Sequence, residues 1–468
     1  MAAGPRGGAR RRHPLGGSYE ELDFRVVTWG APIGEPTPCP LVLPGWLLAD
    51  VREQVSDATG DDRAGKMTAR LLTNIATTTI DLGEDGEETW VITGDIPAMW
   101  LRDSCLQLSP LLRLAPRHPE LAGVAAGLLR RHWRMILIDP YANAFNRRPN
   151  GNRWDDDRPR QGPWVWERKW ELDSLTFPLD LALRLDGLGC REWLNADFYD
   201  ALDVILTITE TEQRHEAASP YRFTRPGAPA SDTLTRAGRG PRTRECGLVF
   251  QAFRPSDDAC QLGFNIPGNA FLASTLRRLA PILDRDRRAR AERLAAAIEE
   301  GIRCFGMIQN PEPHLAYEVD GWGGQLFMDD ANLPSLLGLP YLGVLAVDDP
   351  VYLATRRRLL SPENPCFVDG TRLRGIGSPH TPPGHVWPIA IAVAGLTASH
   401  EDEQLACLRM LMNSTGGTGW MHEGVDADDP SCFTRPWFSW ANAMFCELAL
   451  AIASRPGFDS REPVNRRR

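Results

Sequence analysis

The sequence predicts an all-α fold. Two observations carry that expectation: apolar residues recur at helical spacing in segment after segment, and the strict alternation of a half-buried strand is scarce. Leu121, Val124, Ala125, Leu128, Leu129 and Ile136 mark one such face, and Leu405, Leu408, Leu411 and Met412 of "EDEQLACLRMLMN" mark another. In chain order the further candidates are "GKMTARLLTNIATTTI", "LDSLTFPLDLALRL", "NADFYDALDVILTITET", "NAFLASTLRRLAPIL", "ARAERLAAAIEEGIRC", "HVWPIAIAVAGLTA" and "WFSWANAMFCELALAIA". Roughly ten to thirteen helices are expected.

The connections are unusual. Stretches such as "RRPNGNRWDDDRPRQGPWVWERKW" and "STGGTGWMHEGVDADDPSCF" are long and rich in Gly, Pro, Asp and Trp, whereas a bundle needs only short connectors. Loops of this kind on a helical scaffold are expected to carry function. No linker or internal repeat divides residues 20–457, so one catalytic domain is expected there, with a disordered basic tail over 1–19 and a flexible tail over 458–468.

Composition narrows the chemistry. The net charge of −9, 52 basic against 61 acidic residues, and the lack of any internal lysine- or arginine-rich stripe argue against a nucleic-acid partner. Hydrophobic residues make up 43% without long apolar runs, so no membrane span is expected. The basic N-terminus "MAAGPRGGARRRHPLGG" has no apolar region behind it and does not read as a secretory signal. The ten cysteines form no CxxC pair, which suits reduced, mostly buried thiols in a cytoplasmic protein. Lys66 and Lys169 are the only lysines, leaving few candidates for Schiff-base chemistry.

Five loop motifs gather the acids: "GDIPAMWLRDS" with Asp95, Trp100, Arg102 and Asp103; "FRPSDDACQLGFNIPGN" with Arg254, Asp257 and Asp258; "YEVDGWGGQLFMDDANLPS" with Glu318, Asp320, Asp329 and Asp330; "GIGSPHTPPGHVWP" with His380 and His385; and "MHEGVDADDPSCFTRPWFSWAN" with His422, Glu423, Arg435, Trp437 and Trp440. "PSDDAC" has a plain structural reading, a serine cap and first-turn acids opening a helix. It also has a chemical one, since adjacent carboxylates raise one another's proton affinity and can keep one acid protonated near neutral pH.

His422 and Glu423 lack the second histidine of HExxH, and His380 and His385 have no third ligand nearby, so neither a metal nor another cofactor is expected. No GxGxxG, P-loop or GxSxG signature occurs. What remains is carboxylate chemistry on a sugar. Two carboxylates across a glycosidic bond suffice for hydrolysis, and Glu423 is the natural second partner to the Asp257/Asp258 pair because it lies in a separate loop. Tryptophans in the same loops, Trp100, Trp154, Trp164, Trp166, Trp170, Trp420, Trp437 and Trp440, offer faces for a pyranose ring while carboxylates and Arg102 bind hydroxyls.

Taken together, "TGDIPAMWLRDS", "RPSDDA", "MDDANLPSLL", "GIGSPHTP" and "HEGVDADDPSCFTRPWFSWAN" closely resemble glycoside hydrolase family 125, the metal-independent exo-α-1,6-mannosidases, in order from about Thr93 to Phe445. The resemblance implies an (α/α)6 barrel with active-site loops at one end and an inverting mechanism with an aspartate acid and a glutamate base. It puts the acid at Asp257 or Asp258, with Asp258 preferred, and the base at Glu423. Inversion would need the two carboxyl groups about 6.5–9.5 Å apart, to leave room for a water. Arg102, Asp103, Asp329, Asp330 and His380 would line the subsite for the terminal mannose, with Asp95, Trp100, His422 and Trp437 as further substrate contacts. The implied partner is an α-mannoside oligosaccharide, an N-glycan fragment or mannobiose. Pro436 and Gly268 depart from the family pattern. A terpene cyclase is disfavoured because "DDANL" lacks the last acid of DDxxD; a non-catalytic sugar-binding module or a sugar epimerase on the same scaffold is the remaining alternative.

Overall fold

The computed structural model describes residues 39–454, apart from 84–85 and 155. The described residues belong to one compact unit; the tails expected over 1–19 and 458–468 lie outside them. Fifteen α-helical segments occur among the described residues, two of them single turns at His215–Ala218 and Thr235–Gly238. The others are α1 (Gly45–Thr59), α2 (Asp62–Asn74), α3 (Leu101–Gln107), α4 (Ser109–Leu114), α5 (Glu120–Ile138), α6 (Asp173–Gly187), α7 (Ala196–Glu212), α8 (Ile266–Leu279), α9 (Arg285–Phe305), α10 (Pro350–Leu359), α11 (Pro388–Leu396), α12 (Glu401–Asn413) and α13 (Ser439–Ala453).

Burial sorts these helices into two rings. A helix that is apolar on one stripe can cover a core, whereas one buried all round must lie inside it. Helix α6 buries twelve of its fifteen residues. Helix α9 buries only Ala291, Leu294, Ala295, Ile298 and Gly301 of 21, a single stripe at helical spacing. By this criterion α3/α4, α6, α8, α11 and α13 are inner and α2, α5, α7, α9, α10 and α12 outer. Packing agrees: α13 lies against α3, α3 against α6, α6 against α8, and α11 against α13.

The remaining inner position is filled by the buried, turn-rich segment 336–343, held to α8 by Ser274 Oγ donating to the Gly343 carbonyl and to α10 by Tyr352 Oη donating to the Leu337 carbonyl. Pro340 lacks the N–H a regular helix would need there. The architecture is an (α/α)6 barrel in which the chain alternates between outer and inner rings.

That alternation makes the inner helices run in the same direction, so the loops that enter them gather at one end. Short antiparallel strands stiffen these loops. Strands β1 (Met99–Trp100), β2 (Ala144–Phe145) and β3 (Val165–Glu167) form one sheet ahead of α3 and α6. Strand β4 (Phe264–Asn265) pairs with β5 (Glu318–Val319) ahead of α8. Strand β6 (His385–Val386) pairs with β7 (Val425–Asp426), tying the loop before α11 to the loop before α13. Among the described residues no helix is long and apolar enough to cross a membrane.

Candidate active site

Five of the six loops entering the inner ring deliver the motifs: Asp95, Arg102 and Asp103 at the start of α3, Asp257 and Asp258 before α8, Asp329 and Asp330 before the 336–343 segment, His380 before α11, and Glu423 before α13. The loop before α6 adds a cluster that sequence reasoning passed over: Glu167, Lys169, Glu171 and Asp173.

The Asp257/Asp258 segment does not open a helix. Helix α8 begins at Ile266 and is capped by Asn265, whose side chain accepts from Gly268 N–H at 2.8 Å, so the capping reading of "PSDDAC" is corrected. Gly268 is explained by the same contact, because a Cβ there would stand 2.7 Å from Gln251 Oε1. The loop is braced from two sides. Arg254 Nε donates to Glu318 Oε1 (2.6 Å), whose other oxygen accepts from the amides of Gln261 and Leu262 (2.8 and 3.0 Å). Ser256 Oγ donates to Asp330 Oδ2 (2.5 Å).

The two aspartates differ in surroundings. Asp257 has a left-handed backbone (φ 69°) and receives a bond from Asn143 Nδ2 (3.3 Å). Burial opposes its charge most strongly, but Lys169, a hydrogen bond from Glu171 and the charges of Arg102 and His380 together outweigh burial and hold Asp257 below the usual carboxylate range, at about 2. Burial, with the charges of Asp257 and Asp173, raises the pKa of Glu171 against the pull of Arg102. Asp258 is 5% exposed; its Oδ1 stands 3.4 Å from His380 Nδ1, and its Oδ2 meets no protein partner.

His380 ties the site together. Its side chain is 38% accessible to solvent yet deep among protein groups, as expected for the wall of a concavity. Burial alone would lower its pKa, but the bond to Asp258 and the charges of Glu423, Asp258 and Asp257 raise it to about 9. Acids from the loops before α8 and α13 thus act on one imidazole. Glu423 is oriented through both oxygens: Thr434 Oγ donates to Oε2 (3.0 Å), and Arg435 Nη1 lies 3.5 Å from Oε1. Arg435 also pairs with Asp95, its Nε donating to Oδ2 at 3.2 Å.

The other expected contacts divide. Arg102 is 3% exposed and caged, Nη1 donating to Glu171 Oε2 (2.6 Å) and Asp173 Oδ2 (2.9 Å), with Nε 3.3 Å from Asp103 Oδ1. Burial works against its charge, but these three carboxylates outweigh it. Asp103 accepts from Thr93 Oγ (2.9 Å), and burial raises its pKa. Asp329 is fully buried, accepting from the amides of Leu336 and Leu337 (2.9 Å each), and burial lifts its pKa to about 8. Asp330 is buried and bonded to Ser256 and Asn332.

His422 is buried against Phe433 (3.7 Å, stacked), its Nδ1 2.7 Å from the Arg435 carbonyl and its Nε2 3.1 Å from that of Thr415. Trp100 is 5% exposed within an apolar cluster of Ala98, Ala144 and Trp166. These two side chains support the loops. Trp437 is half-buried and packs over Gly94, leaving aromatic surface accessible. All ten cysteines are free; four are buried and three exposed. Among the described residues no three His, Cys, Asp or Glu side chains stand as a metal-holding group.

The arrangement brings two carboxylates from different loops to bear on one histidine, Asp258 through a 3.4 Å contact and Glu423 through its charge. Comparisons with known proteins agree with this chemistry. Residues 61–450 match the model of a family described as metal-independent α-mannosidase (GH125). The meiotically up-regulated gene 157 protein of Schizosaccharomyces pombe is 38% identical over 446 residues, 87% of this chain and 85% of that protein. A metal-independent α-mannosidase of Streptococcus pneumoniae, solved in a non-productive complex with α-1,6-mannobiose, superposes with a TM-score of 0.84 at 41% identity, covering 88% of this chain and 99% of that one. A bacterial glucoamylase complexed with acarbose shares the fold alone, at 12% identity and a TM-score of 0.50 over 84% of this chain and 56% of that one.

Proposed function

The chain belongs to glycoside hydrolase family 125, the metal-independent α-mannosidases, and from that premise we propose that it removes non-reducing terminal α-1,6-linked mannose with inversion, using Asp258 as acid and Glu423 as base. Membership sets aside a non-catalytic sugar-binding module and an epimerase. The 1,6 linkage is supported by the disaccharide bound to the Streptococcus pneumoniae relative. The observation that carries the assignment of roles is that Asp258 Oδ1 stands 3.4 Å from His380 Nδ1 while the charge of Glu423, from a separate loop, acts on the same imidazole.

Asp257 is held ionised and is engaged by Asn143 and Glu171, which leaves Asp258 as the proton donor. Near neutral pH, His380 carries a proton beside Asp258. Its passage from Nδ1 to the carboxyl group, over a 3.4 Å separation that sugar binding can close, arms the acid. The Asp258 carboxyl group then protonates the glycosidic oxygen as the bond to the anomeric carbon breaks. A water on the opposite face of the ring attacks that carbon and gives its proton to Glu423. The products are free mannose and a glycan shorter by one residue.

Glu423→Gln and Asp258→Asn test the roles. Groups that act mainly in the transition state are expected to lower kcat on α-1,6-mannobiose by about 10²–10⁴-fold with ligand affinity largely intact. Full activity of either variant would refute its role.

A further inference from the structure

Lys169 is one of two lysines among 52 basic side chains, and the only buried one: Lys66 lies exposed in a surface pair with Asp62, while Lys169 is 2% exposed. Its Nζ donates to the Asp257 carbonyl (2.7 Å) and to Asp232 Oδ1 (2.7 Å), with Glu167 Oε1 at 3.7 Å. The acceptors are themselves fixed. Arg225 bonds both Asp232 oxygens (3.0 Å each), Glu167 Oε1 (2.9 Å) and the carboxylate of Asp157 (2.8 and 2.9 Å). An ammonium can direct its three protons from one atom toward acceptors arrayed around it; a guanidinium presents a planar fork and cannot. The geometry gives a reason for lysine at this position in a chain that otherwise uses arginine.

The carbonyl that Lys169 grips belongs to the peptide joining Asp257 to Asp258. Asp257 is left-handed at φ 69°, a conformation that non-glycine residues hold only when their surroundings enforce it. Turning that peptide plane would swing the Cα–Cβ bond of Asp258. Lys169 is too deeply buried to meet substrate, and the group it holds is one bond removed from the acid.

We propose that Lys169 is a positioning residue for the acid half of the reaction: its ammonium locks the Asp257–Asp258 peptide in the left-handed turn and so aims the Asp258 carboxyl at the glycosidic oxygen. The proposal rests on the reading of Asp258 as the acid.

The test compares α-1,6-mannobiose, whose leaving alcohol needs a proton, with a dinitrophenyl α-mannoside, whose phenolate leaves without one. Asp258→Asn is expected to lose activity on mannobiose while keeping most of it on the aryl substrate. Lys169→Met is expected to show the same selectivity, with kcat on mannobiose lowered at least about tenfold and KM little changed. Lys169→Arg keeps the buried charge, which guards against loss of the fold, and is expected to lose mannobiose activity selectively as well because a planar guanidinium cannot meet the Asp257 carbonyl and Asp232 from one atom. Equal losses on both substrates in the lysine variants, or full mannobiose activity in Lys169→Arg, would overturn the proposal. Selective loss in Asp258→Asn alone refutes the role of Lys169 and leaves the acid assignment standing. Equal losses in Asp258→Asn would refute the assignment itself, and the aiming role with it.

Discussion

Thr434 donates its hydroxyl proton to Oε2 of Glu423 at 3.0 Å while accepting the Gly424 N–H at 3.0 Å. The amide orients the hydroxyl, and its single proton goes to the nearer acceptor, the carboxylate at 3.0 Å rather than the Gly424 carbonyl at 3.5 Å, which holds one oxygen of Glu423 in place. Thr434→Val keeps the shape and removes the bond. It is expected to lower kcat roughly ten- to a hundredfold with KM little changed, while Thr434→Ser restores most of the rate. Steady-state kinetics on α-1,6-mannobiose checks both, and an unimpaired valine variant would remove Thr434 from the account.

His380 is expected to set the alkaline limit. Its pKa is raised to about 9, so the imidazole keeps its proton below that pH and loses it above. Activity should therefore fall as pH rises through about 9. His380→Gln removes the imidazole reservoir, and the falling limb of kcat should move to lower pH. A limb that stays in place in the variant would show that His380 carries no part of the working proton.

Asp329 is expected to act on stability before it acts on substrate. Its two oxygens satisfy the buried amides of Leu336 and Leu337 in the segment that stands in for an inner helix. Asp329→Ala leaves both donors unpaired and should cost about 1–3 kcal/mol per unsatisfied group before relaxation. Urea unfolding measures this, and an unchanged midpoint would contradict it.

Gly94 sits at φ +130°, and a Cβ there would stand 3.3 Å from Cζ3 of Trp437. Gly94→Ala therefore strains the backbone by about 1–3 kcal/mol and displaces the aromatic face. Mannoside binding should weaken several-fold by calorimetry. Undiminished affinity would argue that Trp437 does not touch the sugar.

Much of this was legible in the sequence because the inner helices and their entry loops obey local rules. "EDEQLACLRMLMN" is helix α12 from end to end, and the motifs before α3, α8, α11 and α13 all reach the same end of the barrel. Helix α1 was not anticipated, since it buries only Leu47, Val51 and Val55 and gives a thin apolar signal. The cluster of Glu167, Lys169, Glu171 and Asp173 was missed because charged residues in a tryptophan-rich loop read as solvent-exposed. Their burial follows from long-range partners, Arg102 and Asp257, that spacing cannot disclose. The scarcity of lysine is the one signal in the sequence that points to Lys169. For His422 and Trp100 residue type suggests contact with sugar, and the fold packs both side chains within the loops.

The most direct test of the central claim is proton NMR of the anomeric signal of the first mannose released from α-1,6-mannobiose. Attack by a water held on Glu423, opposite the group protonated by Asp258, predicts β-mannose first, with the α anomer appearing only at the rate of mutarotation. Initial appearance of α-mannose, or no release of mannose, would contradict it.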